Sequence, residues 1–313
     1  MKNRNNLTEG SILKSLIILS VPIILANILQ ATYQLTDTFW VGRLGTTAIA
    51  AVSISFPITF LFISLGSGLA IAGTILVAQY KGKKDKTAID HITSQTMLMV
   101  ILISIILATI GYILTPSLIG FMGAEQDVFS SAVPYMRISF IGMIFMFTYM
   151  VFQSLMRGVG DVKTPMYIVL GTVLLNLILD PLFIFGYGFI PAFGVAGAAV
   201  ATIGTQGLAA IIGIFLLIKG KFQIQLHLND LKPDWLLIKK MFRLGFPASI
   251  EQSTRALGMT VMTFLVTGFG ALTLAAYGIG SRVLIFVIIP AMGLSMATST
   301  LVGQNIGAGK IKS

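Results

Sequence analysis

The sequence predicts an all-α polytopic membrane protein with about eight transmembrane helices. Its mean hydropathy is +0.92, and 56% of its 313 residues are hydrophobic while only 10% are charged. Such a chain has too little polar surface to cover a soluble globule of this length. Its long apolar runs lack the alternation of apolar and polar residues that the strands of a membrane barrel require, so the spans are helices.

Eight apolar runs are long enough to cross about 30 Å of hydrocarbon as helices. The first contains Pro22, the fourth and fifth begin at Pro134 and Pro165, where a helix tolerates proline, and the sixth opens with a run of small residues. The seventh and eighth follow a charged stretch. In chain order the runs cover residues 13–40, 54–79, 92–114, 134–155, 165–185, 195–217, 244–266 and 274–302.

The longest polar interruption, residues 219–243, divides the spans into six and two. We predict a six-helix N-lobe (1–218), a cytoplasmic linker (219–243) and a partial C-lobe with two helices (244–313). Residues 234–240 fit either a short helix on the inner membrane surface or a solvated linker.

The chain also repeats itself at an offset of about 225 residues, which aligns Pro22 with Pro247 and Gln79 with Gln304. About a quarter of residues 19–82 are identical in the second copy. Six spans per repeat is an even number, so both copies run the same way through the membrane. This parallel repeat predicts a pseudo-twofold axis along the membrane normal, with a cleft between the lobes.

The net charge of +10 reflects membrane topology and gives no sign of a nucleic-acid partner, because the basic residues gather on one side of the spans. Only Arg43 and Arg137 lie near outer ends. We therefore expect a multi-pass plasma-membrane protein with both termini cytoplasmic. The inner segments hold Lys2, Arg4, Lys14, Lys81, Lys83, Lys84, Lys86, Arg157, Lys163, Lys219, Lys221, Lys232, Lys239, Lys240, Arg243, Lys310 and Lys312.

The sequence carries no pattern typical of an enzyme. It has no cysteine, and His91 and His227 fall in cytoplasmic segments. It also lacks a glycine-rich phosphate loop and a paired carboxylate motif for Mg²⁺. We expect no cofactor.

Three acidic residues fall within spans, where an unpaired carboxylate is costly and indicates function. Asp180 lies about 15 residues into its span, roughly 22 Å along the helix, with Asn176 one turn earlier on the same face. Asp37 lies near a span end, where reaching for water is an equal alternative. If both carboxylates share one pocket, one holds a proton or the pair binds Na⁺ with the Asn176 amide.

Glu251 and Arg255 lie one turn apart in the seventh span and are expected to neutralise each other. Glu251 remains a candidate for contacting cationic cargo in the cleft. Pro22 removes a helical hydrogen bond, which fits either a hinge or a static kink.

Five segments together resemble the multidrug and toxic compound extrusion (MATE) family, with the prokaryotic DNA-damage-inducible branch fitting best. The resemblance covers nearly the whole chain. The segments are QLTDTFWVGRLG (34–45), QSLMRGVGDVKTP (153–165), LNLILDPL (175–182), GVAGAAVAT (194–202) and VGQNIGAG (302–309).

The resemblance implies an antiporter in the lipid bilayer that exports small cationic lipophilic compounds in exchange for H⁺ or Na⁺, by alternating access. It assigns the coupling site, and any Na⁺, to Asp37, Asn176, Asp180 and Thr202. Tyr135 would be a neighbour and a cleft candidate together with Glu251 and Arg255, and Pro22 would be the point where the first helix bends.

Family members have twelve helices, whereas this sequence ends two helices into its second repeat. A truncated product, an incomplete sequence and a chain that needs a second polypeptide all fit, and a full-length protein is expected to be a monomer. Two alternative functions stay open. A flippase for a lipid-linked substrate would need several cationic residues in its cleft, where the sequence offers only Arg255 and Arg282, and the other alternative is a membrane fragment that does not transport.

Overall fold

The computed structural model describes Leu7, residues 11–267 and residues 271–310. Within them the prediction of an all-α fold with eight long helices is confirmed, and the one extended pairing is an isolated bridge between Tyr187 and Ile190. A 3₁₀ turn (Leu228–Asp230) lies between α6 and α7. The helices are α1 (Ile12–Gly42), α2 (Thr46–Gly82), α3 (Lys86–Phe121), α4 (Gln126–Gly158), α5 (Lys163–Phe185), α6 (Val195–Lys219), α7 (Trp235–Thr267) and α8 (Ala271–Gly307).

Seven of the described helices have a segment long and apolar enough to cross a membrane, and α7 is the exception. It has the length, at 33 residues, but Lys239, Lys240 and Arg243 near its start and the pair Glu251 and Arg255 lower its hydropathy. The span predicted at 244–266 therefore stays a prediction.

Local signals explain where several helices begin and end. The Ser11 hydroxyl accepts a hydrogen bond from the Lys14 amide at the start of α1, and Asp85 caps α3 in the same way through the Ala88 amide. At the other end of the N-lobe, α6 stops at Gly220, whose φ of 64° suits a residue without Cβ. Pro22 lies buried inside a continuous α1.

The N-lobe is locked together by three phenylalanines of α4 that pack onto glycines of other helices. The ring of Phe147 covers Gly66 of α2, Phe140 covers Gly111 of α3, and Phe152 covers Gly213 of α6. All three rings are almost fully buried. We call these three contacts the ring locks. They hold α2, α3 and α6 around α4, since a Cβ at any of these glycines would overlap the ring.

The first repeat packs against the second through contacts that obey the offset of about 225 residues. Gly68 approaches Ser249, and the equivalent residues Gly293 and Ile24 also touch. Nearer the ends of α2 and α8, Gly82 lies against the Gln304 carbonyl and Gly307 against the Gln79 carbonyl.

The contact between Gly303 and Ala78 shows where the pseudo-twofold axis between the repeats lies. Gly303 approaches Ala78, and these two residues are equivalent to each other in the repeat. A two-fold axis that passes between α2 and α8 beside Ala78 produces this set of pairs.

The segment between the lobes is held by the first turns of α3. The Gln95 side chain donates to the carbonyls of Asp230 and Lys232 and accepts from the Asp234 amide. The His91 ring lies between the carboxylates of Asp230 and Asp234, at 2.7 and 3.1 Å, and its hydrogen bond lowers the pKa of Asp234. Because α7 begins at Trp235, residues 235–240 are the start of that helix, and neither alternative for 234–240 describes them.

Candidate functional site

The structure brings together the four residues assigned to the coupling site. Asp37 comes from α1, Asn176 and Asp180 from successive turns of α5, and Thr202 from α6. The Thr202 hydroxyl donates to Asp37 Oδ2 at 3.2 Å, and Asn176 Nδ2 donates to Asp180 Oδ1 at 2.9 Å. The carboxyl groups of Asp37 and Asp180 lie close enough for each to affect the other electrostatically. They meet because α5 packs on both α1 and α6.

Three oxygens at this site are buried without a hydrogen-bond partner among the residues that the structure describes: Asp37 Oδ1, Asp180 Oδ2 and Asn176 Oδ1. No ion pair of the described residues involves either carboxylate. Two ionised carboxylates this close repel each other, and buried oxygens without a donor are costly. A shared proton or a bound hard cation would remove both penalties.

The ligand atoms are all oxygens, a set that suits H⁺ or Na⁺ and does not suit a soft transition metal. Among the described residues there is no group of three or more His, Cys, Asp or Glu arranged to hold a metal ion. The arrangement is thus two carboxylates, an amide and a hydroxyl.

Sequence reasoning missed two residues beside this site, Tyr33 and Thr205. The Tyr33 hydroxyl lies 2.7 Å from Thr205 Oγ1, and the Tyr33 side chain is buried next to Thr202. Helical spacing could have found them, since Tyr33 is one turn before Asp37 and Thr205 one turn after Thr202. Tyr135 of α4 lies within electrostatic range of both carboxyl groups, which fits its prediction as a neighbour.

A cavity of about 430 Å³ opens among α1, α2, α4, α5 and α6, beside the coupling site. This volume suits one drug-sized ligand. Tyr33 belongs both to the cavity wall and to the coupling site. The remaining polar and aromatic wall residues are Asn27, Gln30, Gln34, Phe56, Thr59, Phe60, Tyr149, Gln153, Arg157, Thr172 and Gln206.

Arg157 lies in the last turn of α4 and forms part of the cavity wall. The sequence places Arg157 only in an inner segment and gives no sign that it lines a cavity. One terminal nitrogen donates to Ser154 Oγ at 2.9 Å, and the other contacts Met296 Sδ of α8 at 3.2 Å. Arg157 therefore lies where the two repeats meet.

Glu251 and Arg255 are paired at 2.7 Å, as expected from their spacing. Both side chains are about 60% exposed and neither forms part of the cavity wall. The structure thus does not bring these two cleft candidates to the cavity. The side chain of Arg282, the other cationic residue considered for the cleft, lies outside the described part.

Comparison with known proteins gives one consistent family. The MatE family model matches residues 22–182 and 247–313, two segments that start at Pro22 and Pro247, the pair aligned by the internal repeat. The probable multidrug resistance protein YoeA of Bacillus subtilis is 34% identical over 305 residues, 96% of this chain and 66% of that protein. An FAD transporter of Shewanella oneidensis is 27% identical over 313 residues, 99% of this chain and 69% of that protein.

A solved structure has the same fold. It is described as the outward-facing conformation of a multidrug resistance MATE family transporter of the MOP superfamily. Its TM-score is 0.90 at 26% identity, with 98% of this chain and 67% of that chain covered. The chain spans about two thirds of the length of the relatives it matches.

Proposed function

The chain belongs to the MATE family, whose members are multi-pass membrane transporters and not enzymes, and on this premise we propose that it is a secondary active antiporter. It exports lipophilic organic compounds across the plasma membrane in exchange for H⁺ or Na⁺. Both termini are cytoplasmic in this proposal, which the one-sided distribution of Lys and Arg supports.

The observation that carries the proposal is the set of three buried oxygens without partners on Asp37, Asp180 and Asn176. When a proton or Na⁺ binds, the repulsion between the two carboxylates falls and α1 is drawn toward α5. When the ion leaves, the repulsion returns and favours their separation. Ion binding is thus linked to the position of α1.

Tyr33 provides the link from ion to cargo. It lies on α1 one turn from Asp37 and belongs to the wall of the cavity, so a displacement of α1 changes the shape of the cavity. Pro22, on the same helix, leaves one carbonyl without its helical donor and lets α1 bend there. Cargo release then follows from ion binding without any direct contact between ion and cargo.

The cavity wall supports a lipophilic cargo. Cationic compounds would lie against the faces of Tyr33, Phe56, Phe60 and Tyr149, because an aromatic ring attracts a positive charge. The relatives named as multidrug resistance proteins support this class. The relative named as an FAD transporter shows that cargo in the family is not restricted to cations, since FAD carries negative phosphates.

Ion-driven efflux from proteoliposomes tests the proposal. Ethidium efflux driven by an imposed H⁺ or Na⁺ gradient is measured for the wild type, Asp37→Asn and Asp180→Asn. Each variant keeps the shape of the side chain but removes the charge that binds the ion. We therefore expect ion-dependent efflux to fall to the level of empty liposomes.

Asp127→Asn is the matched control, because Asp127 lies in the first turn of α4, away from the site. It is expected to transport like the wild type. Wild-type efflux from either site variant would overturn the site assignment. Absence of efflux from the wild type itself would favour the fragment that does not transport, and gradient-independent movement of lipid would favour a flippase.

A further inference from the structure

Arg157 gives the cavity a positive charge that no described acidic residue neutralises. The two contacts of its guanidinium are with the Ser154 hydroxyl and the Met296 sulfur, both uncharged. Within the described part of the chain, no Asp or Glu belongs to the cavity wall and no ion pair includes Arg157. The guanidinium has more N–H donors than these two contacts use.

The carbonyls at the C-terminal end of α4 do not neutralise the charge of Arg157 as an anionic partner would. Helix carbonyls at a C-terminus favour a positive charge, but the effect is small beside that of a full negative charge at contact distance. A planar guanidinium also offers paired donors that match a carboxylate or phosphate. The geometry of Arg157 is therefore suited to an anionic group that enters the cavity.

A second donor in the same wall lacks a partner. Asn27 Nδ2 is buried and makes no hydrogen bond. Further amides come from Gln30, Gln34 and Gln153, and aromatic faces from Phe60 and Tyr149. This lining can hold a planar organic body through stacking and amide hydrogen bonds while its charged end meets Arg157.

We propose that this cavity binds organic anions as well as the cargo inferred above, and that Arg157 receives the carboxylate, phosphate or sulfonate group of an otherwise aromatic compound. The proposal rests on the cavity being the cargo site of the proposed transporter. It adds a substrate class and names the residue that selects it. An organic cation would occupy the aromatic part of the cavity, away from Arg157.

The same contact connects the anion to the second repeat. One Arg157 nitrogen now meets Met296 of α8, a weak acceptor. An anion is a far stronger acceptor and would compete for this nitrogen. Anion binding would thus loosen one contact between the repeats.

Equilibrium binding with three matched probes tests the proposal. The purified chain in detergent is titrated with 7-methoxycoumarin-4-acetic acid, with its neutral primary amide and with its cationic aminoethyl amide, and anisotropy is measured. We expect the carboxylate to bind at least about tenfold more tightly than the neutral amide, because only the carboxylate pairs with Arg157. This comparison needs no variant and stands alone if a variant fails to fold.

Variants then assign the preference to Arg157. Arg157→Gln is expected to remove the tenfold preference, to leave the neutral amide within about twofold of wild type and to leave the cation unchanged or tighter. Arg157→Lys keeps the charge without the paired donors, so an intermediate loss of about threefold is expected. Arg137→Gln is the control, because Arg137 is on the same helix, stacks on Tyr112 and does not belong to the cavity wall.

Two results would overturn the proposal: equal binding of carboxylate and amide by the wild type, or equal weakening of both probes in Arg157→Gln, which would show a structural role. These binding data are independent of coupling. If the wild type prefers the carboxylate probe but shows no ion-driven efflux, only the antiporter proposal is contradicted. If it shows ion-driven efflux but no preference for the carboxylate probe, only the anion site is contradicted.

Discussion

At the scale of single residues, the proposed coupling site is marked by oxygens that lack donors in the described part of the chain. Asp37, Asp180 and Asn176 each present one such oxygen, although the interior around them is otherwise well packed. Two adjacent carboxylates in an apolar interior are unfavourable while both are ionised. The folded protein should therefore gain stability whenever the site takes up a positive charge.

Thermal unfolding tests this stability linkage. We expect the Tm of the wild type in detergent to rise by a few degrees on lowering the pH from 8 to 5.5, or on adding Na⁺ at pH 8 if Na⁺ is the ion. In Asp180→Asn one carboxylate is replaced by an uncharged group of the same shape. The variant should have the higher Tm of the two proteins at pH 8 without Na⁺, and its Tm should hardly respond to pH or Na⁺.

Asp127→Asn again serves as control, and its Tm is expected to respond to pH and Na⁺ as the wild type does. A Tm of Asp180→Asn that still responds like that of the wild type would show that the pair does not bind the ion.

The two carboxylates and the amide could be predicted from sequence because a charged or polar residue is conspicuous in an apolar run. Tyr33, Thr205 and Arg157 could not be found in this way. The two hydroxyls cost little in a helix, so they leave no mark on hydropathy, and Arg157 lies at a helix end where a basic residue is expected. Helical spacing from Asp37 and Thr202 points to Tyr33 and Thr205, but their contact follows from the packing of α1 on α6. The place of Arg157 in the cavity wall follows from packing alone.

At the scale of helices, the ring locks make the spacing between α3 and α4 depend on Gly111. Its Cα lies against the Phe140 ring, and an added methyl group would overlap that ring. Gly120, in the same helix, has open space around it. The two glycines thus form a pair in the same helix in which only Gly111 lacks room for a methyl group.

We expect Gly111→Ala to destabilise the protein by about 1–3 kcal/mol, which lowers the Tm, because the ring must shift to make room. Gly120→Ala should leave the Tm unchanged or raise it slightly, since alanine favours a helix over glycine by up to about 1 kcal/mol. Thermal unfolding of both variants in the same detergent is the measurement. Equal shifts in the two variants would mean that the Phe140 contact does not constrain α3.

The helices themselves were predictable, but their ends were not. Apolar runs marked the hydrocarbon-crossing parts, whereas α3 starts at Lys86 and α4 at Gln126, well before the predicted residues 92 and 134. Hydropathy does not detect a helix that continues beyond the lipid with polar residues. The start of α7 at Trp235 was missed for the same reason, because the Lys pair made this segment look like a surface element.

At the scale of the whole molecule, the two-fold relation between the repeats predicts that Gly82 and Gly307 are equally sensitive to a larger side chain. Each lies against the backbone of the other repeat at equivalent places, Gln304 and Gln79. A larger side chain at either position should push α2 and α8 apart by the same amount. This equivalence would not be expected of two unrelated glycines.

Thiol labelling measures that separation, because the sequence has no cysteine. Thr300→Cys places a reporter at a buried position of α8, on the helix face that also carries Gly303 and Gly307. We expect slow labelling in an otherwise wild-type background, and labelling about tenfold faster when Gly82→Val or Gly307→Val is added, since each widens the seam and admits the reagent.

Gly171→Val provides the control, because a Cβ added at Gly171 would meet no other helix within 4 Å, and it should leave labelling slow. Fast labelling in only one of the two seam variants would contradict the symmetric contact.

The ring locks also separate the N-lobe helices into two groups, those joined by a ring contact and those without one. The three rings of α4 pack closely on α3, α2 and α6 through Phe140, Phe147 and Phe152 respectively. These four helices therefore form one tightly packed group. Neither α1 nor α5 receives one of these rings, and these are the helices that carry Asp37 and Asp180. The repulsion between the two carboxylates therefore acts between α1 and α5, two helices that these three ring contacts do not hold.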